Sequence, residues 1–370
     1  MAEIRVENLH KAFGNFAAVK DSSFTIANGS FFCLLGPSGC GKTTTLRMIA
    51  GLELPTSGRI LLDGEDVAFK RASQRDIAFV FQLFALYPHM NVRRNIGYPL
   101  ASQGVPRAEI KTRVEETARL LRIDHLLESP VSRLAGGDRQ RVALGRAIVR
   151  HPKAFLMDEP LGTLDSEFRH LMCQELRQLH DRIGATTVYV THDQIEAMSM
   201  ADTIAVMNQG LVEQLGHPQE IYDRPATMFV ADFIGSPAMN FVPFHGGLVP
   251  DQTMIKIREA DVAIPASRQV VAETELVLGV RPEHVHFSDA SKLRAEVFGT
   301  EYLGTTQIVT LKTPEGRLKA RLPANVDVRN GEQVGLAFAP DRLSVFVKSS
   351  GQVVHSALHE GAIGARVSHG

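Results

Sequence analysis

Residues 36–43 combine glycines, a lysine and a threonine in the order that a phosphate-binding loop requires. The segment reads Gly-Pro-Ser-Gly-Cys-Gly-Lys-Thr and fits the pattern G-x-x-x-x-G-K-[ST]. Glycines let the backbone curl closely enough for successive N–H groups to point at the oxygens of a nucleotide triphosphate. Lys42 would add a mobile positive charge, and the Thr43 hydroxyl would bind magnesium. The residues expected to contact the nucleotide are Ser38, Gly39, Cys40, Gly41, Lys42, Thr43 and Thr44.

The segments on either side of this loop have the order that the motif needs. Residues 30–35 form an apolar run typical of a buried strand, and residues 44–50 have a pattern typical of a helix. A helix that starts there points the positive end of its dipole at bound phosphates. With average residue frequencies, a chain of this length matches the motif by chance roughly 1–2% of the time. Because the flanking elements are also of the expected kind, we interpret the match as a nucleotide site.

Two acidic residues follow another apolar run. Asp158 and Glu159 come directly after residues 154–157, at the carboxyl end of a predicted buried strand. In an open α/β sheet ligands bind at that end, and the phosphate loop would lie there as well. Asp158 would then hold magnesium, and Glu159 would act as a base toward water. The alternative is a pair of acids in a solvated turn, which the upstream loop makes the weaker hypothesis.

Further polar or aromatic residues stand next to predicted strands. His192 follows residues 186–191, and Gln82 follows residues 77–81. We interpret His192, at the same sheet edge as the magnesium acid, as a contact to the terminal phosphate. Gln82 alone is weaker evidence, because glutamines in loops are commonly only solvated. Phe13 precedes a Gly-Asn turn and could stack on a flat base, but from the residues alone an ordinary core or turn aromatic is the better interpretation.

The hydrophobic pattern predicts two domains. Residues 1–235 have the strands and helices of an α/β domain, interrupted at about 83–151 by an amphipathic helical insert. Within the insert, residues 134–138 read Leu-Ala-Gly-Gly-Asp, and the two glycines before a predicted helix indicate either a bare turn or a second anion cradle. Residues 236–370 contain short strands and turns, which predict a β-barrel-like domain, and end in a polar tail at 349–370 that we expect to be loosely held.

Composition limits the class of protein. The 370 residues include 40 Lys and Arg against 41 Asp and Glu, and this balance gives no general attraction to nucleic acid or an anionic membrane. The three cysteines have no metal-type spacing and fit a reduced, cytosolic compartment. No apolar run approaches the ~18 residues of a membrane span, and the N-terminus lacks the apolar core of a signal peptide. If the protein acts at a membrane, we therefore expect it to do so through a partner protein.

With these motifs in place, the chain resembles the ATP-binding subunit of an ABC transporter, and within that group the maltose-type carbohydrate importers. The resemblance covers residues 3 to about 348. Its motifs are Walker A at 36–43, Walker B at 156–160, the Q-loop at Gln82, the signature loop at 134–138, the switch histidine at His192 and the adenine-stacking aromatic at Phe13. Residues 279–284, Gly-Val-Arg-Pro-Glu-His, are similar to the start of the regulatory, oligonucleotide-fold-like C-terminal domain of these importers.

The resemblance implies a fold and a reaction. The fold would be an α/β P-loop ATPase domain with a helical subdomain, followed by a β-rich OB-like (TOBE) regulatory domain. The chain would bind ATP and Mg²⁺, with Thr43, Gln82 and Asp158 as magnesium ligands. In hydrolysis Glu159 would orient or activate water, Gln82 would sense magnesium and the membrane subunits, and His192 would hold the γ-phosphate.

The same resemblance implies partners and a location. A second copy would pair head to tail with ATP between the two, so that the signature loop of one copy (Ala135, Gly136, Gly137 and Asp138) faces the phosphate loop of the other. Two transmembrane permease subunits and, through the complex, a periplasmic or extracellular solute-binding protein would complete the importer at the cytoplasmic face of the cell membrane. No nucleic acid is expected. Closure of the pair would drive alternating access, and hydrolysis would reset it.

Three positions depart from the family pattern. The signature usually reads Leu-Ser-Gly-Gly-Gln, so Ala135 replaces a serine that donates a hydrogen bond to the partner's γ-phosphate, and Asp138 replaces a glutamine. Gly162 stands where the loop after Walker B usually has a serine, while Asp165 in that loop is retained. We expect these departures to leave ATP binding intact and to put the full rate of hydrolysis in doubt.

Other functions remain open at this point. An exporter-type or soluble ABC ATPase is less favoured, because the C-terminal domain resembles those of importers and because the chain has one ATPase cassette without a long coiled insert. A regulatory module that docks a protein, with a secondary ATPase activity, is a further alternative. The sequence does not name the solute, since maltose-type ATPases serve sugars, glycosides, polyols and glycerol phosphates.

Overall fold

The computed structural model describes residues 2–82, 84–162 and 166–360. The chain forms two compact units that divide between Pro218 and Gln219. Residues 219–235 therefore pack with the β-rich part of the chain, and the domain boundary that the sequence places at 235 stays a prediction. Asp165 and the last part of the tail, 361–370, lie outside the described residues.

The first unit contains the predicted mixture of strands and helices. In chain order these are β1 (Ile4–Phe13), β2 (Phe16–Ile26), β3 (Phe31–Leu35), α1 (Lys42–Ala50), β4 (Ser57–Leu62), β5 (Glu65–Asp66), β6 (Ile77–Val80), α2 (Val92–Ser102), α3 (Arg107–Leu120), α4 (Gly136–Ile148), β7 (Ala154–Asp158), α5 (Ser166–Ile183), β8 (Thr186–Thr191), α6 (Gln194–Met200), β9 (Thr203–Asn208) and β10 (Leu211–Gly216).

The central sheet has the strand order β10-β9-β3-β8-β7-β6. Strands β9, β3, β8, β7 and β6 run parallel, and β10 closes the sheet as an antiparallel hairpin with β9. Every residue of β3, β7 and β8 is buried, as expected for parallel strands that are covered on both faces. Their last residues are in register, with Leu35 beside Thr191 and Asp158 beside Val190. The segments that follow these strands therefore leave the sheet at one edge.

A second, antiparallel sheet has the order β2-β1-β4-β5. Its β1–β2 hairpin turns at Gly14 and Asn15, which brings Phe13 opposite Phe16. Ile4, Val6 and Leu9 of β1 are buried in the same hydrophobic cluster as β3 and α1. The two sheets therefore share one core, which fixes the hairpin relative to the loop between β3 and α1.

The segment of the predicted helical insert contains the helices α2, α3 and α4. Ile96, Val114 and Ala118 are fully buried within it, and α2 packs against α3 and α4. The spacing of Val114 and Ala118 is the i, i+4 pattern that predicts one apolar helix face. Within the described ranges, no helix has the length and apolar character required to cross a membrane.

The second unit is built mainly from short strands, as the turn-rich sequence predicts. Its elements are α7 (Pro218–Asp223), α8 (Met228–Phe233), β11 (Asn240–Leu248), β12 (Met254–Ile257), β13 (Ala260–Ala263), β14 (Val271–Val280), β15 (Val285–Phe287), β16 (Arg294–Tyr302), β17 (Thr306–Thr313), β18 (Gly316–Pro323), β19 (Gln333–Phe338) and β20 (Ser344–Val347). The sheet orders are β11-β14-β20, β12-β13 and β15-β19-β16-β17-β18. Leu318, Ala320 and Leu322 of β18 lie in the core and alternate with the less buried Lys319 and Arg321.

The described part of the tail differs from its prediction. Val354 is buried in the core of the second unit, and its N–H donates a 2.7 Å hydrogen bond to the carbonyl of Val345. The N–H of Ala357 donates to the carbonyl of Ala266 at 2.8 Å. Residues 349–360 are therefore packed and not loosely held. The buried Val354 side chain and the backbone hydrogen bonds stabilise the segment despite its polar composition.

Candidate nucleotide-binding and hydrolysis site

Two glycines of the loop between β3 and α1 are required by close backbone contacts. A Cβ atom on Gly36 would lie 2.2 Å from the carbonyl oxygen of Met207, and one on Gly41 would lie 2.4 Å from that of Ala18. Gly41 also has a φ of 105°, which disfavours any other residue. It immediately precedes α1, whose first N–H groups have no partner within the helix. The loop thus presents backbone donors beside a helix N-terminus, as phosphate binding needs.

The Lys42 side chain is held inside the loop. Its Nζ donates hydrogen bonds to the carbonyls of Gly36 at 2.8 Å and Pro37 at 2.9 Å, and only 4% of the residue is exposed. Cys40 Sγ lies 3.8 Å from the same ammonium group. Burial raises the pKa of the Cys40 thiol, against the opposing effect of Lys42. The lysine charge is therefore already positioned within the loop by backbone carbonyls.

Thr43 and Asp158 meet across the sheet edge. The Thr43 hydroxyl donates a 2.9 Å hydrogen bond to Oδ1 of Asp158. Burial raises the pKa of the Asp158 carboxyl, and the bond from Thr43 opposes that shift. Neighbouring oxygen ligands in an octahedral magnesium shell, with metal–oxygen distances of about 2.0–2.1 Å, lie about 2.9 Å apart. The pair therefore fits two adjacent ligands of Mg²⁺, and the ion's charge would offset the cost of burying the carboxylate.

Glu159 and His192 also come together at this edge. Oε2 of Glu159 lies 3.2 Å from Nδ1 of His192. Glu159 has a φ of 44°, a left-handed conformation that is uncommon for a residue with a side chain and is often found at functional sites. Its N–H donates to the carbonyl of Val190 at 3.0 Å, which holds the backbone in this position. The geometry places a carboxylate and an imidazole at the ends of the neighbouring strands β7 and β8, next to Asp158.

The residues after His192 fix its backbone, and their roles were not predicted from the sequence. Asp193 caps α6, with Oδ1 accepting from the N–H of Ile195 at 2.8 Å, and Oδ2 accepts from Arg169 at 2.8 Å. Glu196 is buried and accepts hydrogen bonds from two hydroxyls, those of Tyr189 at 2.8 Å and Thr191 at 2.7 Å. Burial raises the pKa of the Glu196 carboxyl. The spacing of Asp193 and Glu196 fits a capping box and could have identified Asp193, but Glu196 bonds to β8 instead.

Gln82 follows β6 and is exposed. A Cβ atom placed on Gly162 would lie 3.8 Å from the Gln82 amide nitrogen and 3.9 Å from Oε2 of Glu159. The Gln82 side chain therefore reaches the same part of the sheet edge as the Glu159 carboxylate. The small Gly162 lies between them, at the position where the family pattern has a serine.

Phe13 lies at the end of the β1–β2 hairpin, with 49% of the residue exposed. The Lys11 ammonium lies 4.7 Å from the centre of its ring and is held by a 2.8 Å bond to the carbonyl of Leu54. An exposed ring next to a cation suits stacking on a flat, electron-rich base. No hydrogen bond joins Phe13 to residues 36–44 in the described part of the chain.

The signature residues lie at the start of α4. Ala135 is the N-cap of this helix, with an extended backbone and no side-chain hydrogen bond. Gly136 is exposed, and Asp138 is paired with Arg141 at 3.2 Å. Arg141 also binds Glu175 of α5 at 2.9 Å. Among residues 2–82, 84–162 and 166–360 no hydrogen bond connects this segment to the phosphate loop of the same chain, so the signature residues are not brought into that loop's site.

A buried arginine that no motif indicates supports α1. The guanidinium of Arg75 donates to the carbonyls of Met48 at 2.6 Å and Ile49 at 2.9 Å, in the last turn of α1, and to that of Ala68 at 2.9 Å. Only 2% of the residue is exposed, and burial lowers the pKa of Arg75 to about 10. A cation at the C-terminus of a helix is favourable, so Arg75 stabilises the helix that carries Lys42 and Thr43.

Comparison with known proteins agrees with this geometry. The ABC transporter family model matches residues 19–162, the MalK OB fold domain model matches residues 235–285, and the TOBE domain model matches residues 278–346. The trehalose import ATP-binding protein SugC of Mycobacterium tuberculosis is 45% identical, over 95% of this chain and 98% of that protein. This chain belongs to the family of ABC import ATP-binding proteins. The resemblance drawn from the motifs is therefore confirmed.

Further relatives match this chain over nearly their whole length. The trehalose/maltose import ATP-binding protein MalK of Thermococcus litoralis is 44% identical, over 96% of this chain and all of that protein. The sn-glycerol-3-phosphate import ATP-binding protein UgpC of Cereibacter sphaeroides is 42% identical, over 95% of this chain and 99% of that protein. Among solved structures, CbiO1 of Clostridium perfringens, part of the ABC transporter complex CbiONQ, is 28% identical with a TM-score of 0.56, covering 59% of this chain and 89% of that one.

These comparisons establish the fold class and the general activity. The first unit of this ABC ATP-binding protein has the ABC ATPase fold, and OB-fold and TOBE segments follow it. The chain is an ATP-binding ATPase subunit of an import transporter.

Proposed function

We propose that this chain hydrolyses MgATP to drive uptake of a carbohydrate-type solute, such as a sugar, glycoside, polyol or glycerol phosphate. The observation that carries the proposal is the meeting of Thr43 with Asp158 and of Glu159 with His192 at one edge of the sheet. The relatives named for trehalose, maltose and sn-glycerol-3-phosphate import support the solute class.

Binding and charge stabilisation are assigned to the loop and to the Thr43–Asp158 pair. Lys42 and the backbone donors at the start of α1 hold the phosphates. The Thr43 hydroxyl and the Asp158 carboxylate hold Mg²⁺, which neutralises charge on the phosphate oxygens. Gln82 reaches the same edge, and its amide oxygen would be a further ligand of the metal. Phe13 stacks on adenine.

Proton handling is assigned to Glu159 and His192. The Glu159 carboxylate orients the attacking water and accepts its proton. His192 holds this carboxylate through its Nδ1 and would contact the γ-phosphate. Asp193, Glu196 and Arg169 keep the histidine backbone in place. The strained backbone of Glu159 fits a residue whose position matters for chemistry.

A complete site requires a second copy of the chain. The start of α4 makes no hydrogen bond to the phosphate loop of its own chain among the described residues, which supports a head-to-tail pair in which Ala135, Gly136, Gly137 and Asp138 face the partner's nucleotide. The exposed Gly136 N–H and the helix N-terminus suit contact with phosphate. Asp138 is held by Arg141, so part of its charge is offset.

The segment after Gln82 is the proposed docking surface for two permease subunits. Phe84, Leu86, Tyr87 and Met90 are half-buried, and 40% of Tyr98 is exposed; Leu83 lies outside the described residues. Part of this apolar surface packs within the chain, because the ring centres of Tyr87 and Tyr98 are 4.5 Å apart. Through the permeases the chain would act at the cytoplasmic face of the membrane, with a solute-binding protein on the other side and the second unit serving regulation.

Purification of the assembled complex tests this proposal. The tagged full-length chain, extracted with its membranes in mild detergent, is expected to bring two membrane proteins with it, together with a solute-binding protein that retains a carbohydrate-type ligand. ATPase activity of the complex should rise when that ligand is supplied. A chain with Lys42→Ala should copurify with the same membrane proteins but show no ATPase activity. Copurification with only soluble proteins would contradict the importer assignment.

A further inference from the structure

Arg146 of α4 holds the backbone of Phe84 and Ala85, a segment that begins two residues after the Q-loop glutamine, Gln82. Its Nη1 donates a 2.6 Å hydrogen bond to the carbonyl of Ala85, and its Nη2 donates a 2.7 Å bond to the carbonyl of Phe84. The guanidinium carbon also lies 5.4 Å from the centre of the Tyr87 ring. One planar guanidinium therefore binds two successive carbonyls through two different nitrogens, a rigid arrangement that the single, flexible ammonium of lysine does not reproduce.

The two carbonyls belong to residues in an unfavourable conformation. Phe84 has a φ of 61° and Ala85 a φ of 46°, so two successive residues with side chains are left-handed. Such residues are uncommon singly, and glycine is the residue that adopts this conformation without strain. A strained backbone persists only where its surroundings hold it. At this position Arg146 makes the contacts that can do so.

The charged guanidinium of Arg146 binds these backbone carbonyls and not a carboxylate. No carboxylate lies within ion-pair distance of Arg146 among the described residues. Burial lowers the pKa of its guanidinium, and the hydrogen-bond partners of this partly desolvated cation are the carbonyls of Phe84 and Ala85. Loss of these two bonds would leave a half-buried cation without its partners.

The other end of the same segment is fixed to α2. Asn95 is fully buried; its Oδ1 accepts from the N–H of Tyr87 at 2.9 Å, and its Nδ2 donates to the Tyr87 carbonyl at 3.1 Å. Helices α2 and α4 pack against each other. The segment 84–90 is therefore attached to both helices, and the attachment closest to Gln82 is Arg146.

We propose that Arg146 is a positioning residue that latches the strained Phe84–Ala85 backbone and thereby couples the position of Gln82 to α4, the helix that begins with the signature residues. The inference rests on the proposed roles of Gln82 and of Ala135–Asp138. With the latch intact, a force on the proposed docking surface moves α4 together with the Q-loop. Without it, Phe84 and Ala85 relax, and Gln82 loses its fixed distance from Glu159.

Kinetics of the copurified complex test the coupling. Arg146→Met is expected to lower ATPase kcat at least tenfold, while the Kd for MgATP of the full-length chain changes less than twofold. Arg146→Lys should give an intermediate kcat, because it keeps the charge but replaces the rigid guanidinium with a single, flexible ammonium. The matched control is Arg150→Met, which removes a similar side chain that pairs with Asp76 at 3.7 Å; it should resemble the unsubstituted protein. Equal losses of kcat in Arg146→Met and Arg150→Met would overturn the proposal.

A second substitution distinguishes a latch from simple packing. Ala85→Gly alone should be close to neutral, because glycine adopts the observed φ without strain. In combination with Arg146→Met it should restore kcat at least threefold over Arg146→Met alone. If the double variant is no more active than Arg146→Met, Arg146 does not act through the strained backbone.

Hydrogen exchange separates this inference from the proposed function. In the full-length chain without nucleotide, Arg146→Met should speed amide exchange in peptides that cover residues 84–90 at least fivefold, and Arg150→Met should not. Unchanged exchange at 84–90 overturns the latch whatever the enzyme does. A complex that lacks ATPase activity even without substitution would instead contradict the proposed function and leave the exchange result to decide on the latch.

Discussion

Nδ1 of His192 lies 3.2 Å from Oε2 of Glu159, which joins the residues that follow two neighbouring parallel strands, β8 and β7. The contact orients the carboxylate through a side chain whose own backbone is fixed by the cap of α6. It places the proposed base beside Asp158 and across the edge from Lys42. The predictions below start from this arrangement.

Glu159→Gln should retain ATP and nearly abolish its turnover. The amide keeps the shape and the contact with His192 but cannot take a proton, and a general base contributes about 10²–10⁴-fold in rate. We expect this variant to form a dimer with MgATP in size-exclusion chromatography. Glu116→Gln, an exposed site on α3, is the control and should stay monomeric under the same conditions. Turnover at the unsubstituted rate would remove Glu159 from its role as base.

Asp158→Asn should make the nucleotide-free chain at least as stable as the unsubstituted chain at pH 7. Burial raises the pKa of Asp158 in the folded state, so ionisation lowers the free energy of unfolding as the pH rises from the ordinary pKa through the folded one. Asparagine avoids that cost and can still accept the Thr43 bond. The Tm difference should vanish as the pH falls below the ordinary aspartate range, where both side chains are neutral.

The same variant should lose its response to magnesium. Thermal scans with ATP, with and without Mg²⁺, should show a Tm increase from the metal in the unsubstituted chain only. A Tm below that of the unsubstituted chain at every pH would contradict the prediction that ionisation of the buried Asp158 carboxyl lowers the free energy of unfolding.

Lys42→Ala should abolish productive ATP binding. The substitution removes the mobile cation of the loop, and it also breaks the two bonds that hold the loop carbonyls of Gly36 and Pro37. We expect no saturable binding by isothermal titration calorimetry at millimolar MgATP. Lys111→Ala, an exposed lysine of α3, is the matched control and should bind normally. If Lys42→Ala turned over ATP at the rate of the unsubstituted protein, the phosphate-loop assignment would be contradicted.

Ala135→Ser should speed hydrolysis in the assembled transporter. A serine hydroxyl at this N-cap could bond the γ-phosphate across the dimer, and a bond to a charged group contributes about 1.5–3 kcal/mol, or roughly tenfold or more in rate if it strengthens in the transition state. ATP affinity should change less. Steady-state ATPase of the unsubstituted protein, Ala135→Ser, Asp138→Gln and the double variant would measure the effect, and the two increments should not add fully.

The helix offers an independent check on this substitution. A serine N-cap stabilises a helix by about 0.5–2 kcal/mol relative to alanine, and Ala135 has the extended backbone that such a cap needs. Ala135→Ser should therefore raise the Tm of the free chain even if the ATPase rate is unchanged. A raised Tm with an unchanged or lower rate would indicate that another group already fills the role of the missing hydroxyl.

Cysteines introduced between 84 and 98 should crosslink to the membrane partners. Phe84, Met90 and Tyr98 sample the proposed docking surface at spaced positions, and Phe16, 62% exposed in the β1–β2 hairpin, is the control. We expect adducts with the copurifying membrane proteins at one or more of the three positions and none at Phe16. Absence of adducts at every position from 84 to 98 would count against this docking surface.

The sequence predicts the parts of this protein that depend on side-chain type at fixed spacing. The phosphate loop needs glycines where the backbone touches Met207 and Ala18, so its pattern is visible in the chain. The parallel sheet is predicted from its apolar runs. Asp158, Glu159 and His192 stand at the ends of its strands and are therefore predicted to lie at one edge. Ala135 and Asp138 are recognised as departures only because the rest of their motif is present.

Interactions that end on backbone carbonyls are not visible in the sequence. Arg75 and Arg146 each bind carbonyls of other segments of the chain, and a carbonyl carries no residue type. The left-handed Phe84 and Ala85 could not be predicted, since neither is the glycine that normally marks such a conformation. Glu196 has the spacing of a capping residue but bonds to hydroxyls of β8, because burial on the folded sheet outweighs the local motif.

The burial of every native thiol has a practical consequence for labelling. Cys33, Cys40 and Cys173 are buried and free, and burial raises the pKa of all three thiols, that of Cys173 to about 12. Because the thiolate is the reactive form, maleimides at neutral pH should modify an introduced surface cysteine well before any native one. Spectroscopic probes can therefore be attached site by site without first replacing the native cysteines, including the one inside the phosphate loop.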